Sequence, residues 1–180
     1  LDRELGLARA RAMTLFVMAL PGSVYVYQGE ELGLHEAYEL SEAVLDDPVW
    51  LRSGGTEKGR DGCRVPLPWT RGGPSCGFGS TEPWLPQPES FSQASVEAQD
   101  GQHGSTLELY RAALRLRRTW PADDLVWLDS PDRVLAFRRG PMSCWLNLGD
   151  TPMELPAGEV ILASAEVADS LPGNSAIWLR

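Results

Sequence analysis

A single stretch of β-branched and aromatic residues near the N-terminus constrains the fold more than any other feature. Residues 23–28 are Ser-Val-Tyr-Val-Tyr-Gln, which puts apolar side chains on both faces of an extended chain. This pattern is typical of a strand that is buried on both sides in a parallel sheet. Because such a strand needs neighbouring strands and helices over its faces, the sequence predicts an α/β fold.

The residues before this strand have the spacing of a helix. Residues 1–20 place apolar side chains three or four positions apart, and Pro21 with Gly22 ends the pattern. Helix, short turn and buried strand make half of a βαβ unit, which further strands must complete. The apolar positions are Leu5, Ala8, Ala12, Leu15, Phe16 and Ala19.

A long stretch with little periodicity follows the strand. Residues 29–104 are rich in Gly, Pro, Ser and Trp, and only short helices are predicted within them, at 40–45 and 91–99. An irregular stretch of this length in a compact domain is usually functional, or else its secondary structure has been misassigned. Residues 105–118 then predict a second long helix, with a stripe that includes Leu107, Tyr110, Ala113, Leu114 and Leu116.

After Pro121 the sequence changes to short strand-like runs separated by Gly, Pro, Asn and Asp. Runs at this spacing predict a small antiparallel sheet or sandwich. The domain boundary is placed between residues 121 and 122. The predicted strands are 125–128, 134–138, 143–148, 153–155, 160–163 and 176–179.

Composition excludes several classes of function. A net charge of −9 argues against nucleic acid and anionic membranes as partners. The three cysteines have no ligand-like spacing, so we expect reduced thiols in a cytoplasmic protein and neither a disulfide frame nor a metal site. The longest apolar run is too short to span a bilayer. No cofactor is indicated.

Residues 58–69, Lys-Gly-Arg-Asp-Gly-Cys-Arg-Val-Pro-Leu-Pro-Trp, form the most distinctive motif. Two glycines and two prolines predict a stiff loop that presents Arg60, Asp61 and Arg64 at fixed positions. Arginine suits a planar contact with a carboxylate or a row of hydroxyls. The alternative is that Arg-Asp-x-x-Arg is a structural group of ion pairs.

This motif resembles the Arg-Asp-x-x-Arg-x-Pro-Met-x-Trp segment of α-glucosidases and oligo-1,6-glucosidases in glycoside hydrolase family thirteen, the α-amylase superfamily. Residues 20–33, Leu-Pro-Gly-Ser-Val-Tyr-Val-Tyr-Gln-Gly-Glu-Glu-Leu-Gly, resemble that family's eighth barrel strand and the loop after it. The resemblance implies that residues 1–121 are the last part of a (β/α)8 barrel (helix, eighth strand, long loop and eighth helix). Residues 122–180 would be a C-terminal antiparallel β-sandwich domain.

The resemblance also implies substrate-binding residues. Arg64 matches an arginine that pairs with an aspartate after the first barrel strand and closes the pocket around the terminal glucose; that aspartate would precede Leu1. Arg60 is a second candidate, although a structural role, pairing with Asp61 or a backbone carbonyl, is favoured for it. Glu42 lies where some relatives place an acidic contact to the leaving-group sugar, but a solvated position is favoured.

No catalytic residue is assigned to this chain. A retaining glycosidase needs two carboxyl groups on either side of the scissile bond. The adjacent Glu30 and Glu31 would point to opposite faces of an extended chain. The pairs 46–47 and 123–124 are interpreted as solvated turn aspartates. In the family that these motifs resemble, the catalytic carboxylates lie on earlier strands, which implies that they would precede Leu1.

Aromatic side chains are the remaining candidates for sugar contact. Trp50, Trp69 and Trp84 could stack on a pyranose ring. Trp69 is expected to pack beneath the arginine loop. For Trp84, both a sugar contact and a packing role stay open. Tyr25 and Tyr27 are expected in the core.

The sequence is therefore interpreted as the C-terminal fragment of a retaining α-glucosidase that acts on oligosaccharides or small α-glucosides. The rest of the barrel, as an upstream segment or a second chain, would be its partner, and the fragment alone would be inactive. The alternatives are a non-catalytic scaffold protein with the same fold, or a relative such as a trehalose synthase or a sucrose hydrolase or isomerase.

Overall fold

The computed structural model describes residues 2–121 and 124–180. The chain divides into two compact units. One comprises Leu1–Val26 with Glu108–Arg180, and the other is Tyr27–Leu107. The predicted domains, 1–121 and 122–180, follow the order of the chain and stay a prediction.

The N-terminal helix of the first unit, α1, spans Arg3–Ala19 and confirms the helix predicted there. The Asp2 carboxylate accepts a hydrogen bond from the Leu5 N–H at 3.0 Å and caps its first turn. The predicted apolar stripe faces the core, where Leu15 and Ala19 are fully buried. This face therefore supplies the helix side of the first unit's core.

Two arginines from distant parts of the chain satisfy the last carbonyl groups of α1. Arg117 donates hydrogen bonds to the carbonyl oxygens of Met18 and, at 2.8 Å, Leu20. Arg139 donates to the carbonyl oxygen of Ala19 at 3.0 Å. Since α1 has no basic residue in its own last turn, these guanidinium groups also offset the negative end of its dipole.

Residues 23–28 form no strand in the structure, so the predicted strand buried on both faces is not confirmed. Tyr25 is 91% exposed and Tyr27 is 52% exposed, although both were predicted in the core. A β-branched, aromatic segment becomes a strand only when other strands bond to its edges. Every strand pair in the described part of the chain lies C-terminal to residue 125 and is antiparallel, so none provides that edge.

The second unit is built from short elements around its own buried cluster. Helices α2 and α3 span Pro48–Arg52 and Val96–Gln99. Turns of 3-10 helix lie at Glu30–Leu32, Glu42–Val44, Asp61–Cys63, Pro74–Gly77 and Glu89–Ser92, so both predicted short helices contain helical turns. The cluster consists of Ala37, Leu40, Leu45, Val65, Leu85 and Phe91.

Helix α4 spans Thr106–Arg117 and confirms the second long helix. Its buried face contains Tyr110 and Ala113, as predicted. Leu114, however, is 43% exposed, so its place in the predicted stripe is wrong. Leu114 lies four residues after Tyr110, or about 40° around the helix, so helical spacing alone does not separate it from the buried positions.

The C-terminal strands confirm the predicted antiparallel arrangement. Five of them form one sheet, in the order β1 (Val126–Trp127), β2 (Val134–Arg139), β3 (Met142–Asn147), β7 (Ser175–Leu179) and β5 (Val160–Ala163). The other two, β4 (Met153–Glu154) and β6 (Ser170–Leu171), pair with each other. Only the two-residue strand β6 was not predicted, and a sandwich of two packed layers stays a prediction. Every residue of β7 is buried, and its Trp178 indole donates a hydrogen bond to the carbonyl oxygen of Leu15 in α1 at 3.0 Å.

Candidate functional site

Two glycines allow the arginine loop to pack tightly within the second unit. Gly59 has a φ of 68°, and a Cβ built on it would lie 2.5 Å from the Cγ of Asp47. A Cβ on Gly62 would lie 2.9 Å from the carbonyl oxygen of Ala37. The Ala37 N–H also donates to the carbonyl oxygen of Gly62 at 3.0 Å. Any larger residue at either position would push the loop away from these neighbours.

Asp47, which caps α2, forms an ion-pair cluster with Asp61 and Arg64 of this loop. The Nη1 of Arg64 donates to Oδ2 of Asp47 at 2.7 Å and lies 3.4 Å from Oδ1 of Asp61. The other Asp61 oxygen accepts the N–H groups of Asp46 and Asp47 at 2.7 and 2.8 Å. The structure thus contains the structural ion pairs that the motif allowed. Asp46 is exposed, but Asp47 is only 3% exposed, so its interpretation as a solvated turn residue is wrong.

The protein environment favours the ionised form of Asp47. Hydrogen bonds from the N–H groups of Val49 and then Arg60 are the main causes that lower the pKa of this carboxyl. The charge and hydrogen bond of Arg64 lower it further, while desolvation opposes them. The carboxylate therefore stays charged opposite Arg64 at neutral pH.

Arg64 keeps part of its hydrogen-bonding capacity free. Its side chain is 39% exposed, and only its Nη1 is used by Asp47 and Asp61. Its Nε and Nη2 form no hydrogen bond with the described residues. A guanidinium has five N–H donors, so the held side chain can still donate to an external acceptor. Its pairing with an upstream aspartate stays a prediction.

The structure places Arg60 and Glu42 at the surface of the same unit. The Arg60 backbone N–H donates to Asp47 at 3.1 Å. Its side chain forms neither the favoured ion pair with Asp61 nor any other hydrogen bond within the described residues. Glu42 is exposed in the first position of its 3-10 turn, in agreement with the solvated position favoured for it. Substrate contact by either residue stays a prediction.

Glu36 is a neighbour of the arginine loop that the sequence did not indicate. A hydrogen bond to Glu36, and then its charge, raise the pKa of Tyr38. Desolvation, and then Glu36, raise the pKa of the Cys63 thiol, while Arg60 and Arg64 partly offset this effect. No sequence pattern joins Glu36 to a cysteine 27 positions later, because the contact depends on how the loop folds back.

The three tryptophans considered for sugar contact differ in how exposed they are. Trp69 is half-exposed, Trp84 is mostly exposed, and Trp50 packs against the buried cluster. Among the described residues, no group of three or more His, Cys, Asp or Glu side chains could hold a metal ion. Within residues 2–121 and 124–180, no helix has the length and apolar character needed to cross a membrane.

Comparison with known proteins identifies relatives of this chain. Residues 2–123 match the model of the α-amylase catalytic domain. A probable α-glucosidase of Rhizobium meliloti (strain 1021) is 37% identical over 158 residues, which cover 83% of this chain and 28% of that protein. A probable oligo-1,6-glucosidase of Bacillus subtilis (strain 168) is 29% identical over 127 residues, which cover 62% of this chain and 23% of that protein. The chain thus spans about a quarter of the length of these relatives.

Comparison with solved structures also finds enzymes of similar fold. The α-glucosyl transfer enzyme XgtA is 37% identical and has a TM-score of 0.75, with 96% of this chain and 36% of that chain covered. An isomaltulose synthase from Erwinia rhapontici NX5 has a TM-score of 0.76 at 20% identity, over 94% of this chain and 37% of that chain, which shows the fold alone. Since the catalytic-domain model covers more than half of the sequence, this chain belongs to the α-amylase family of glycoside hydrolases.

Proposed function

We propose that this chain is the C-terminal part of a retaining α-glucosidase that releases terminal α-linked glucose from oligosaccharides or small α-glucosides. The observation that carries the proposal is Arg64 of the motif loop, which is held by the carboxylates of Asp47 and Asp61 and still has unused donors. The names of relatives described as α-glucosidases support the same substrate class. The proposal includes a cytoplasmic location and no cofactor.

Arg64 would recognise the terminal glucose through its free N–H groups. A guanidinium presents its donors in one plane, so it can bind two adjacent hydroxyls of a sugar. Asp47 and Asp61 fix the side chain beforehand, which lowers the conformational entropy lost when the sugar binds. Because Arg64 pairs with carboxylates in its own chain, this orientation does not depend on the remainder of the barrel.

The bond-breaking carboxyl groups would come from the remainder of the barrel. Retention needs a nucleophile and an acid about 5–5.5 Å apart. The ionised Asp47 is committed to Arg64 and to backbone N–H groups, so it does not serve as either group. We therefore infer that the chain contributes binding and stability and that it has no turnover alone.

Residues 23–28 would supply a contact with that remainder. Tyr25, Val26 and Tyr27 are exposed although this segment has the composition of a buried strand. Neighbouring strands would bond to its edges, and helices over its faces would cover these side chains. The remainder of the barrel, as an upstream segment or a second chain, is thus the proposed protein partner.

Glucosyl transfer is a second candidate reaction. XgtA, at 37% identity, is described as an α-glucosyl transfer enzyme, whereas the equally similar Rhizobium protein is described as a probable α-glucosidase. Both reactions would use the same recognition of terminal glucose. They differ in whether water or a hydroxyl compound accepts the glucosyl group. Trehalose- and sucrose-related enzymes, or a scaffold without catalysis, are weaker alternatives.

The test uses the assembled enzyme, meaning this chain together with the remainder of the barrel. Arg64→Ala should lower kcat/KM for small α-glucosides about 10- to 100-fold, because hydrogen bonds to charged groups contribute about 1.5–3 kcal/mol. Arg52→Ala, which removes an exposed arginine of α2, is the matched control and should leave kcat/KM unchanged. Unchanged kinetics for Arg64→Ala would refute the proposed role.

Two further readouts separate the alternatives. The 180-residue chain alone should give no α-glucosidase turnover, and turnover above a purification blank would contradict an upstream origin of the catalytic groups. Adding an alcohol acceptor to the assembled enzyme should leave free glucose as the main product. A product that is mostly the alkyl glucoside would favour glucosyl transfer.

A further inference from the structure

The most exposed tryptophan of the chain is also anchored. Trp84 is 72% exposed, compared with 60% for Trp127 and 50% for Trp69. Its Nε1 nevertheless donates a hydrogen bond to the carbonyl oxygen of Val44 at 3.2 Å. The indole is therefore tied at its polar edge while most of its apolar surface is in contact with solvent.

The segment around Trp84 is held on both sides. Leu85, the next residue, is 8% exposed and belongs to the buried cluster of the second unit. The Gln87 side-chain amide donates to the carbonyl oxygens of Pro66 and Ser75, both at 3.0 Å. Prolines on both sides of the Trp-Leu pair restrict the backbone. The ring therefore has little conformational freedom to lose on binding a ligand.

Packing within this chain does not account for this exposure. Trp127 is also exposed, but its ring lies 6.4 Å from Phe16 and 5.9 Å from Phe137, so it completes an aromatic group. Trp84 has no such ring contact within residues 2–121 and 124–180. A large apolar ring that is fixed but left in water is suited to a partner with its own apolar face.

The residues that hold Trp84 also belong to the candidate site. Val44, which accepts the indole hydrogen bond, ends the 3-10 turn that begins with the exposed Glu42. Pro66, which Gln87 contacts, lies two positions after Arg64 in the motif loop. The segment that carries the exposed indole is thus hydrogen-bonded to the arginine loop within one compact unit.

We propose that Trp84 is a stacking platform for a sugar unit of an oligosaccharide substrate beyond the terminal glucose. The proposal rests on the proposed α-glucoside function, and it adds a second contact to that made by Arg64. One face of a pyranose carries C–H groups and packs on an indole, while its hydroxyls stay in solvent or reach an acceptor such as Glu42. Trp84 would therefore favour oligosaccharides over glucosides with a small leaving group.

Kinetics of the assembled enzyme with two substrates test this. For maltotriose, Trp84→Ala should raise KM about 2- to 13-fold, the factor that corresponds to about 0.5–1.5 kcal/mol for one ring contact. For α-glucosyl fluoride, whose leaving group is one atom, kcat/KM should not change. Trp84→Phe keeps a ring without the N–H and should recover part of the loss. Phe78→Ala, which removes another exposed ring of this unit, is the matched control and should match wild type.

The outcomes distinguish stacking from a structural role and from failure of the proposed function. Equal losses with both substrates, or none with maltotriose, would overturn the platform. If the wild type hydrolyses neither substrate, the proposed function fails, and titration with maltotriose followed by tryptophan fluorescence decides the platform separately. A spectral change that Trp84→Ala abolishes supports it, and a change that is absent in wild type or persists in the variant overturns it.

Discussion

A methyl group added at Gly59 would test how the arginine loop is held. Gly59 has a φ of 68°, a left-handed conformation that alanine disfavours. A Cβ there would also lie 2.5 Å from the Cγ and 2.6 Å from the Cβ of Asp47. Gly59→Ala should therefore strain the backbone and displace the carboxylate that holds Arg64.

The two penalties can be separated with a second glycine. The left-handed conformation costs a non-glycine residue about 1–2 kcal/mol, and overpacking costs about 1–3 kcal/mol more. Gly54 has a similar φ of 64°, but its Cβ would have no atom within 4 Å. Gly54→Ala should thus lose about 1–2 kcal/mol of unfolding free energy, whereas Gly59→Ala should lose about 2–5 kcal/mol.

Urea unfolding of the 180-residue chain, followed by circular dichroism, measures both losses. The slope of unfolding free energy against urea should stay equal in wild type and variants, so that a shift of midpoint reports stability. In the assembled enzyme, Gly59→Ala should also lower kcat/KM for small α-glucosides, while Gly54→Ala should not. Equal destabilisation by the two substitutions would refute the steric contact with Asp47.

Two further predictions concern titratable groups of the second unit. Since folding lowers the pKa of Asp47, its stabilising contribution is complete above the unfolded value of about 3.9 and is lost as pH falls through the folded value; urea unfolding below pH 4 should show this loss, and Asp47→Asn should lack it. A wild-type pH slope in Asp47→Asn would contradict this. Because Glu36 raises the pKa of the Cys63 thiol, Glu36→Gln should speed alkylation of Cys63 by iodoacetamide at pH 7.5, with Cys76 as the internal reference in peptide mass spectra. An unchanged ratio of the two alkylation rates would contradict the role of Glu36.

The parts of the fold that depend on local pattern were predictable. Helices α1 and α4 follow from apolar spacing and from the prolines that end them. Six C-terminal strands follow from short apolar runs between turn residues, because antiparallel neighbours are joined by short connections. Residues 23–28 have an equally strong strand pattern, yet they form none, because a strand depends on bonds from strands elsewhere in sequence.

The sequence predicted only part of the candidate site and did not predict its pairing. The motif identified Arg64 and the two glycines that let its loop pack, and the structure places all three there. Burial of Asp47 could not be inferred from the pair 46–47, since both residues have the same side chain and only the path of the chain decides which one turns inward. Contacts between loops, such as the effect of Glu36 on the pKa of Cys63, leave no periodic pattern in the sequence and therefore cannot be predicted from it.

The ion-pair cluster also limits how Arg64 can use a further carboxylate. Nη1 is already shared by Asp47 and Asp61, so an aspartate from the remainder of the barrel would meet only Nε and Nη2. Those groups are also the donors left for sugar hydroxyls, and a third carboxylate nearby would be repelled by the first two. An upstream aspartate and a sugar would therefore share one edge of the guanidinium. Under the proposed function, recognition of the terminal glucose would then depend on the direction in which Asp47 holds that edge, so the packing of Gly59 against Asp47 should affect catalysis as well as stability.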